Sequence, residues 1–242
     1  MQPGAKTGAL WNSLTFAWAA PIFGAMRGFA NSDKERRTLK ARKIDFLVGG
    51  VEGLDLLDLG AGSGLLSSYF VSRGARVTAA DRDASLFAAD CPFVTVTDTL
   101  PFADYAFDLV VFNHVIEHVG TIDQQDRMLS EIRRVIRPGG RLYLAAPTKW
   151  ALIEPHFRIP LLGAMPRPLA DTIVRLAGKG ERYDCFPLTG PAMRQLAGKH
   201  FGAVREVSVD ALRWAAQHEH PGLRFLPAVP ALFPTRMFIA TA

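Results

Sequence analysis

The sequence predicts an α/β fold: a doubly wound, mixed sheet of seven strands with helices on both faces. Three observations carry this expectation. Short apolar runs alternate with stretches of helical periodicity between Leu54 and Ala146, the pattern of parallel strands joined by helical crossovers. The first run, Leu56-Leu57-Asp58-Leu59, ends directly in the turn Gly60-Ala61-Gly62-Ser63-Gly64, and a helix-compatible stretch follows. The chain of 242 residues, 49% apolar and 21% charged, is long enough for one sizeable core and has the composition of a folded globule.

Taken in order, residues 8–50 read as one or two helices. The first is apolar (Leu10, Trp11, Leu14, Phe16, Trp18), the second basic (Lys34, Arg36, Arg37, Lys40, Arg42, Lys43), and residues 1–50 make a helical cap on a main domain of residues 51–242. Asn12, Ser13, Thr15, Pro21 and Arg27 interrupt the apolar stretch, which falls short of the ~20 residues of a membrane span. The same stretch is too polar and short for the core of a signal peptide. Strands are expected near 54–59, 76–80, 93–97, 109–112 and 141–145. The connection 81–93 is short for a crossover and is expected to hold one or two helical turns. Met128, Leu129, Ile132 and Ile136 recur at helical spacing, which predicts a helix over 124–136. Prolines 147, 155, 160, 166 and 168 punctuate an insertion after the fifth strand, residues 148–187. A helix over 190–200, a strand over 204–209, a proline-rich apolar connection over 223–234 and a closing strand over 236–242 complete the chain.

The glycine turn carries the chemistry. Glycine lets backbone turn sharply and approach a ligand with no Cβ in the way. Neither frame of Gly60, Gly62 and Gly64 supplies the third glycine of the dinucleotide fingerprint G-x-G-x-x-G, and no Gly-Lys-Ser/Thr follows to make a phosphate loop. Asp58 beside the turn repels a pyrophosphate and suits a cation. The implied cofactor is therefore positively charged and free of phosphate, as S-adenosyl-L-methionine is. Asp81 ends the second strand about 17 residues beyond Gly64, close to the ~20-residue position at which an acid grips a ribose diol in dinucleotide folds.

Asp58-Leu-Gly60-Ala-Gly62-Ser-Gly64 resembles the first motif of the class I S-adenosylmethionine-dependent methyltransferases. Residues 107–118 resemble that family's fourth strand and the loop after it, and Arg137-Pro-Gly-Gly140 through Ala145 its turn into strand five. The likeness runs from about residue 53 to 147. It implies a Rossmann-like fold, an enzyme using S-adenosyl-L-methionine, and cofactor contacts at Asp58, Gly60, Ala61, Gly62, Gly64, Asp81, Arg82, Asp98 and Asn113. The loop Asn113-His114-Val115-Ile116 lacks the Asn/Asp-Pro-Pro-aromatic motif of base-amine methylases. It is similar instead to small-molecule enzymes such as the ubiquinone-biosynthesis O-methyltransferases, and the Glu154-Pro-His156 segment to methyltransferases of lipid and glycan pathways.

The resemblance thus implies O-methylation of a small or lipid-linked hydroxyl acceptor. C- or N-methylation of a metabolite and a non-catalytic binding protein are the alternatives. His118, Glu117 and His156 are the expected catalytic residues, because a histidine titrates near neutrality and suits proton removal from the acceptor. The spacing His114-x-x-Glu117-His118 is similar to the metal-binding loop of the ubiquinone enzymes, with His114 where they have Glu, and no bound metal is expected. In the insertion, Glu154, His156 and Tyr183 are expected to face the acceptor across an apolar wall of Ile153, Phe157 and Leu161.

The net charge of +5 and the basic run at 34–43 read as a solvated helix face. Aromatics are not interleaved with that run, so nucleic acid is not an expected partner. The apolar character of the first segment allows peripheral membrane contact. Two distant cysteines, Cys91 and Cys185, fit a reducing, cytoplasmic setting.

Overall fold

The computed structural model describes residues 33–225, 227–230 and 233–242; the expected apolar first helix lies outside them. These residues form α1 (Asp33–Val48), β1 (Asp55–Leu59), α2 (Leu65–Ser72), β2 (Arg76–Asp81), β3 (Phe93–Thr95), β4 (Phe107–Asn113), α3 (Ile122–Val135), β5 (Ile136–Pro147), α4 (Arg167–Leu176), α5 (Gly190–Gly198), β6 (Ala203–Glu206), α6 (Ser208–His218) and β7 (Thr235–Thr241). The strands make one seven-stranded sheet in the order β3-β2-β1-β4-β5-β7-β6. β1 pairs in parallel with β2 and β4, and β7 runs antiparallel between β5 and β6. The expected mixed, doubly wound sheet is formed.

Strand periodicity sorts the core into two layers, because successive side chains leave opposite faces of a sheet. Leu57, Leu59, Val110, Phe112, Leu142 and Leu144 pack on one face with Met128, Leu129 and Ile132 of α3 and Met193 of α5. Leu56, Val77, Leu109, Val111 and Tyr143 pack on the other with Phe70 of α2 and Ala211 of α6. Ala41, Ile44, Leu47 and Val48 of α1 join that second layer, so the basic helix expected at residues 34–43 covers one face of the sheet. Among the described residues, no helix is long and apolar enough to cross a membrane. The insertion has a small core of its own, made of Leu162, Ala170, Val174, Tyr183 and Cys185.

Three elements differ from expectation. Residues 82–92 form no helix; the chain crosses as turns, with Phe87 against Phe93 at 4.6 Å between ring centroids. β5 starts at Ile136, earlier than expected, because Ile136 pairs with Phe107 and an irregularity in register absorbs the Arg137-Pro-Gly-Gly turn. The strand expected over 204–209 stops at Glu206, and α6 follows. Val204, Val207 and Val209 favour a strand locally, yet burial of Ala211, Trp214 and Ala215 on a helical face decides the outcome.

Gly60 adopts φ +82°, and a Cβ on it would overlap Val115 of the loop after β4. Gly60→Ala should therefore cost roughly 1–3 kcal/mol in urea denaturation. Adding Val115→Ala should recover the steric part and leave the backbone part. Full recovery in the double variant would show that the positive φ carries no cost.

Candidate functional site

β1 and β4 lie side by side, but the chain leaves β1 toward α2 on one face and β4 toward α3 on the other. Such a switch point opens a crevice at the carboxyl ends of the strands, where α/β sheets bind ligands. The glycine loop forms its floor. The N–H groups of Gly60 and Ala61 both donate to the Ala80 carbonyl, at 2.7 and 3.1 Å. Gly62 donates its N–H to Asp81 Oδ2 at 2.7 Å, and Arg82 donates its own to Oδ1 at 2.6 Å. Each Asp81 oxygen keeps lone pairs for further donors. Gly62 has φ +54° and nothing within 4 Å of where a Cβ would point, so a ligand can lie against it. Gly64 (φ +76°) is overlain by Phe87, whose ring would stand 2.7 Å from a Cβ there.

Asp58 does not face open space. It is 2% exposed beneath the loop and accepts a 2.6 Å hydrogen bond from Ser67 Oγ at the start of α2. Burial pushes its carboxyl up to about 6; the Ser67 bond opposes the rise and the Asp81 charge adds to it. Arg82 and Asp98 pair with each other at 3.2 Å on the exposed rim. Asn113 ends β4, level with Ala145 of β5.

The loop after β4 and the insertion meet in a cluster of imidazoles around one buried acid. Glu117 sits in a single 3-10 turn, Ile116–His118, and is fully buried. Its Oε1 lies 3.0 Å from His156 Nε2 and 3.7 Å from His114 Nδ1, while Oε2 has no hydrogen-bond partner among the described residues. The Glu117 bond raises the His156 pKa above its ordinary value, against the opposing effect of burial. His114, at φ +58°, is driven down to about 3 by burial, with Lys40 of α1, His156 and His118 adding positive charge. His118 stands edge-on to His156, 4.7 Å between centroids, and its Nδ1 is 3.8 Å from Cys185 Sγ. Burial pushes the Cys185 thiol up. Two donor sets have all their ligand atoms within 4.8 Å of one another: His118, His156 and Cys185, and His114, Glu117 and His156. Imidazole, thiol and carboxylate are the donors transition metals take.

Backbone bonds tie the two segments together. Phe186 N donates to Glu117 O at 2.6 Å, and Gln125 Nε2 bridges the carbonyls of Phe186 and Gly120. The structure thus brings the expected Glu117, His118 and His156 into one cluster. It corrects the polar wall expected in the insertion. Glu154 is buried and accepts the Phe157 N–H at 2.5 Å, locking its own turn, and Leu161 is exposed at φ +52°. Tyr183 is buried beneath the Arg167 guanidinium, 5.5 Å from the ring centroid. Cys185 joins the cluster without any local sequence signal, because only the folding-back of the insertion brings it there.

Residues 57–144 match the family model described as a methyltransferase domain. A malonyl-[acyl-carrier protein] O-methyltransferase from Pectobacterium atrosepticum is 30% identical over 142 residues, covering 56% of this chain and 55% of that protein. A ubiquinone biosynthesis O-methyltransferase from Mesorhizobium japonicum is 33% identical over 105 residues, covering 39% and 41%. The chain spans about half the length of these curated relatives. The solved structure of an S-adenosylmethionine-dependent methyltransferase from Mesorhizobium loti shares the fold with a TM-score of 0.57 at 14% identity, covering 88% of this chain and 100% of that one. Residues 57–144, which hold the glycine loop and the switch point, are thus similar to a methyltransferase domain, on a fold shared with solved methyltransferases.

The geometry orders the histidines by pKa. In a carbon-13 NMR titration, His156 should titrate above 6.5 and His114 should stay neutral down to pH 5. Glu117→Gln should lower the His156 midpoint by removing the charge that favours imidazolium. An unmoved midpoint would break the assigned contact.

Proposed function

We propose that the protein transfers the methyl group of S-adenosyl-L-methionine to the oxygen of a small or lipid-linked hydroxyl compound. The carrying observation is the pairing of buried Glu117 with His156, a proton acceptor held beside the switch-point crevice at 3.0 Å. On this reading Gly60, Ala61, Gly62 and Gly64 give the cofactor close backbone contact, and Asp81 accepts from the ribose hydroxyls. Buried Asp58 adds negative charge below the cationic end, while Arg82, Asp98 and Asn113 line the adenine and methionine margins. When bound, the cofactor supplies an electrophilic methyl on a sulfonium. The imidazole of His156, with His118 beside it, would take the proton that the acceptor hydroxyl gives up as the methyl is transferred. Glu117 stabilises the imidazolium that results. Positioning supplies much of the rate, and the base adds about 10²–10⁴-fold.

The relatives' names support an oxygen acceptor, since both are O-methyltransferases. A lipid-linked acceptor, peripheral membrane contact through the N-terminal segment and a cytoplasmic setting are parts of the same proposal. The deciding experiment incubates the protein with methyl-labelled cofactor and a host-cell lipid and metabolite extract. A labelled methyl ether or ester supports it; label on carbon or nitrogen favours the alternative acceptors, and tight cofactor binding without any transfer favours a binding protein.

Two outcomes follow for variants. Asp81→Ala should weaken cofactor affinity about 10-fold or more in calorimetry, since charge-assisted bonds are lost; unchanged affinity would remove Asp81 from the ribose. The neutral imidazole is the active base and its pKa is raised, so kcat/KM should climb with pH through a midpoint above 6.5. His156→Ala should abolish that limb. If His118→Ala and His156→Ala both keep wild-type turnover and chelators do nothing, proximity alone drives the reaction.

A further inference from the structure

His118, His156 and Cys185 each present one imidazole or thiol ligand atom, all within 4.8 Å of one another. His118 comes from the 3-10 turn after β4, the other two from the insertion. The imidazoles are exposed and the thiol, on a residue 1% exposed, lies behind them, so an ion can enter past the two rings.

The three groups are held in place by other bonds. The Phe186 N–H donates to the Glu117 carbonyl at 2.6 Å, one residue from a ligand on each side, and Arg167 Nη1 fixes the Cys185 carbonyl at 2.9 Å. Glu117 Oε1 holds His156 at Nε2, 3.0 Å away, which leaves Nδ1 of that ring for an ion. A carboxylate on the far nitrogen is the usual partner of a metal-bound histidine, because it orients the ring and strengthens the ligand.

Distances decide between the two donor sets of the cluster. A tetrahedral zinc ion separates an imidazole nitrogen from a thiolate sulfur by about 3.6 Å, and from a carboxylate oxygen by about 3.4 Å. His118 Nδ1 and Cys185 Sγ, 3.8 Å apart, fit the first spacing. Glu117 Oε1 and His156 Nε2, at 3.0 Å, are closer than the second and stand at the distance of a hydrogen bond. Glu117 therefore stands behind the ligands. The set is not the loop triad of His114, Glu117 and His118, of which it uses only the last member. The local charge also suits a cation, since the carboxylates of Glu117, Glu154 and Asp184 act on both His156 and Cys185. Asp184 Oδ1 is 3.7 Å from the sulfur.

We propose that His118, His156 and Cys185 bind Zn2+ through two nitrogens and a sulfur, with Glu117 positioning His156 and a fourth place left to water, and that the bound ion blocks methyl transfer. The thiol gives its proton to solvent as the sulfur binds. Binding stands on the geometry alone. The block rests on the methyltransferase reading, in which His156 takes the acceptor's proton. With Nε2 committed to Glu117, ion and proton compete for Nδ1.

The test strips the full chain with a chelator, then titrates Co2+ by absorption and Zn2+ by calorimetry. Labelled-methyl transfer to a cell extract is followed at each zinc concentration. Cobalt should give the near-ultraviolet charge-transfer band of a thiolate ligand. Zinc should displace it, and Mg2+, which takes oxygen ligands, should not. Cys185→Ser should erase the band and weaken zinc binding at least about tenfold, while Glu117→Gln should keep the band and weaken zinc about tenfold. Cys91→Ser should change neither. Melting temperatures control for folding, and if Cys185→Ser does not fold, His118→Ala, on an exposed residue, should show the same loss of zinc affinity. No band in the wild type, a band that survives Cys185→Ser, or zinc affinity untouched by both ligand variants overturns the site. Transfer should fall along the zinc-binding curve; transfer unchanged or raised at saturating zinc overturns the block. Absence of transfer by the metal-free chain defeats the methyltransferase reading instead, and the cobalt band then decides the site by itself.

Discussion

Three backbone N–H groups of the glycine loop, from Gly60, Ala61 and Gly62, donate into the end of β2, and the rest of the site depends on them. They spend the loop's donors on Ala80 and Asp81, so the loop is held flat across two parallel strands with its open side toward ligand. That frame requires left-handed backbone at Gly60 and Gly62, and it brings Gly60 against Val115 of the next strand's loop. The same contact therefore sets the distance between the glycine loop and the segment carrying His114, Glu117 and His118.

Glu117 has the complementary role on the other side of the crevice. A fully buried acid with one oxygen unpaired is unfavourable in isolation, and the surrounding imidazoles make it tolerable. One of them, His156, comes from the insertion, and the Phe186–Glu117 backbone bond fastens the returning end of that insertion to the same turn. Assembly of the cluster is thus coupled to docking of residues 148–187. Before docking, Glu117 lacks its closest partner and His118 its neighbour Cys185. The insertion's turn is in its turn stabilised locally by Glu154, which explains why that acid is consumed by structure instead of facing the crevice.

The sheet was legible in the sequence because strand period and glycine punctuation act locally. Leu56 and Leu57 report opposite faces, and Asp81 marks the end of β2 by position alone. The 82–92 crossing was not legible as turns, since the constraint is tertiary: Phe87 and Ala89 close over Gly64, a residue some two dozen positions earlier. α6 is masked by the valines at 204, 207 and 209, and only packing of Trp214 and Ala215 distinguishes it. Glu117, His118 and His156 could be named from residue chemistry, but their meeting could not be measured from spacing, and Cys185 entered from 67 residues beyond His118. The masking of Asp58 by Ser67 likewise depends on a helix packing onto a strand.

The charges across the crevice are divided by function. Asp58, Asp81 and Asp98 stand on the β1–β3 side, and the charge of Asp81 adds to the burial that raises the Asp58 pKa. Lys40 of α1 lies near His114 on the β4 side, and helps hold that imidazole neutral. With His114 held neutral, Glu117 acts on His156 and raises its pKa. If His114 were cationic as well, it would compete for the same oxygen and lower the His156 pKa. The difference between two histidines at 3.0 and 3.7 Å from one carboxylate oxygen is therefore decided less by those distances than by what else surrounds each ring.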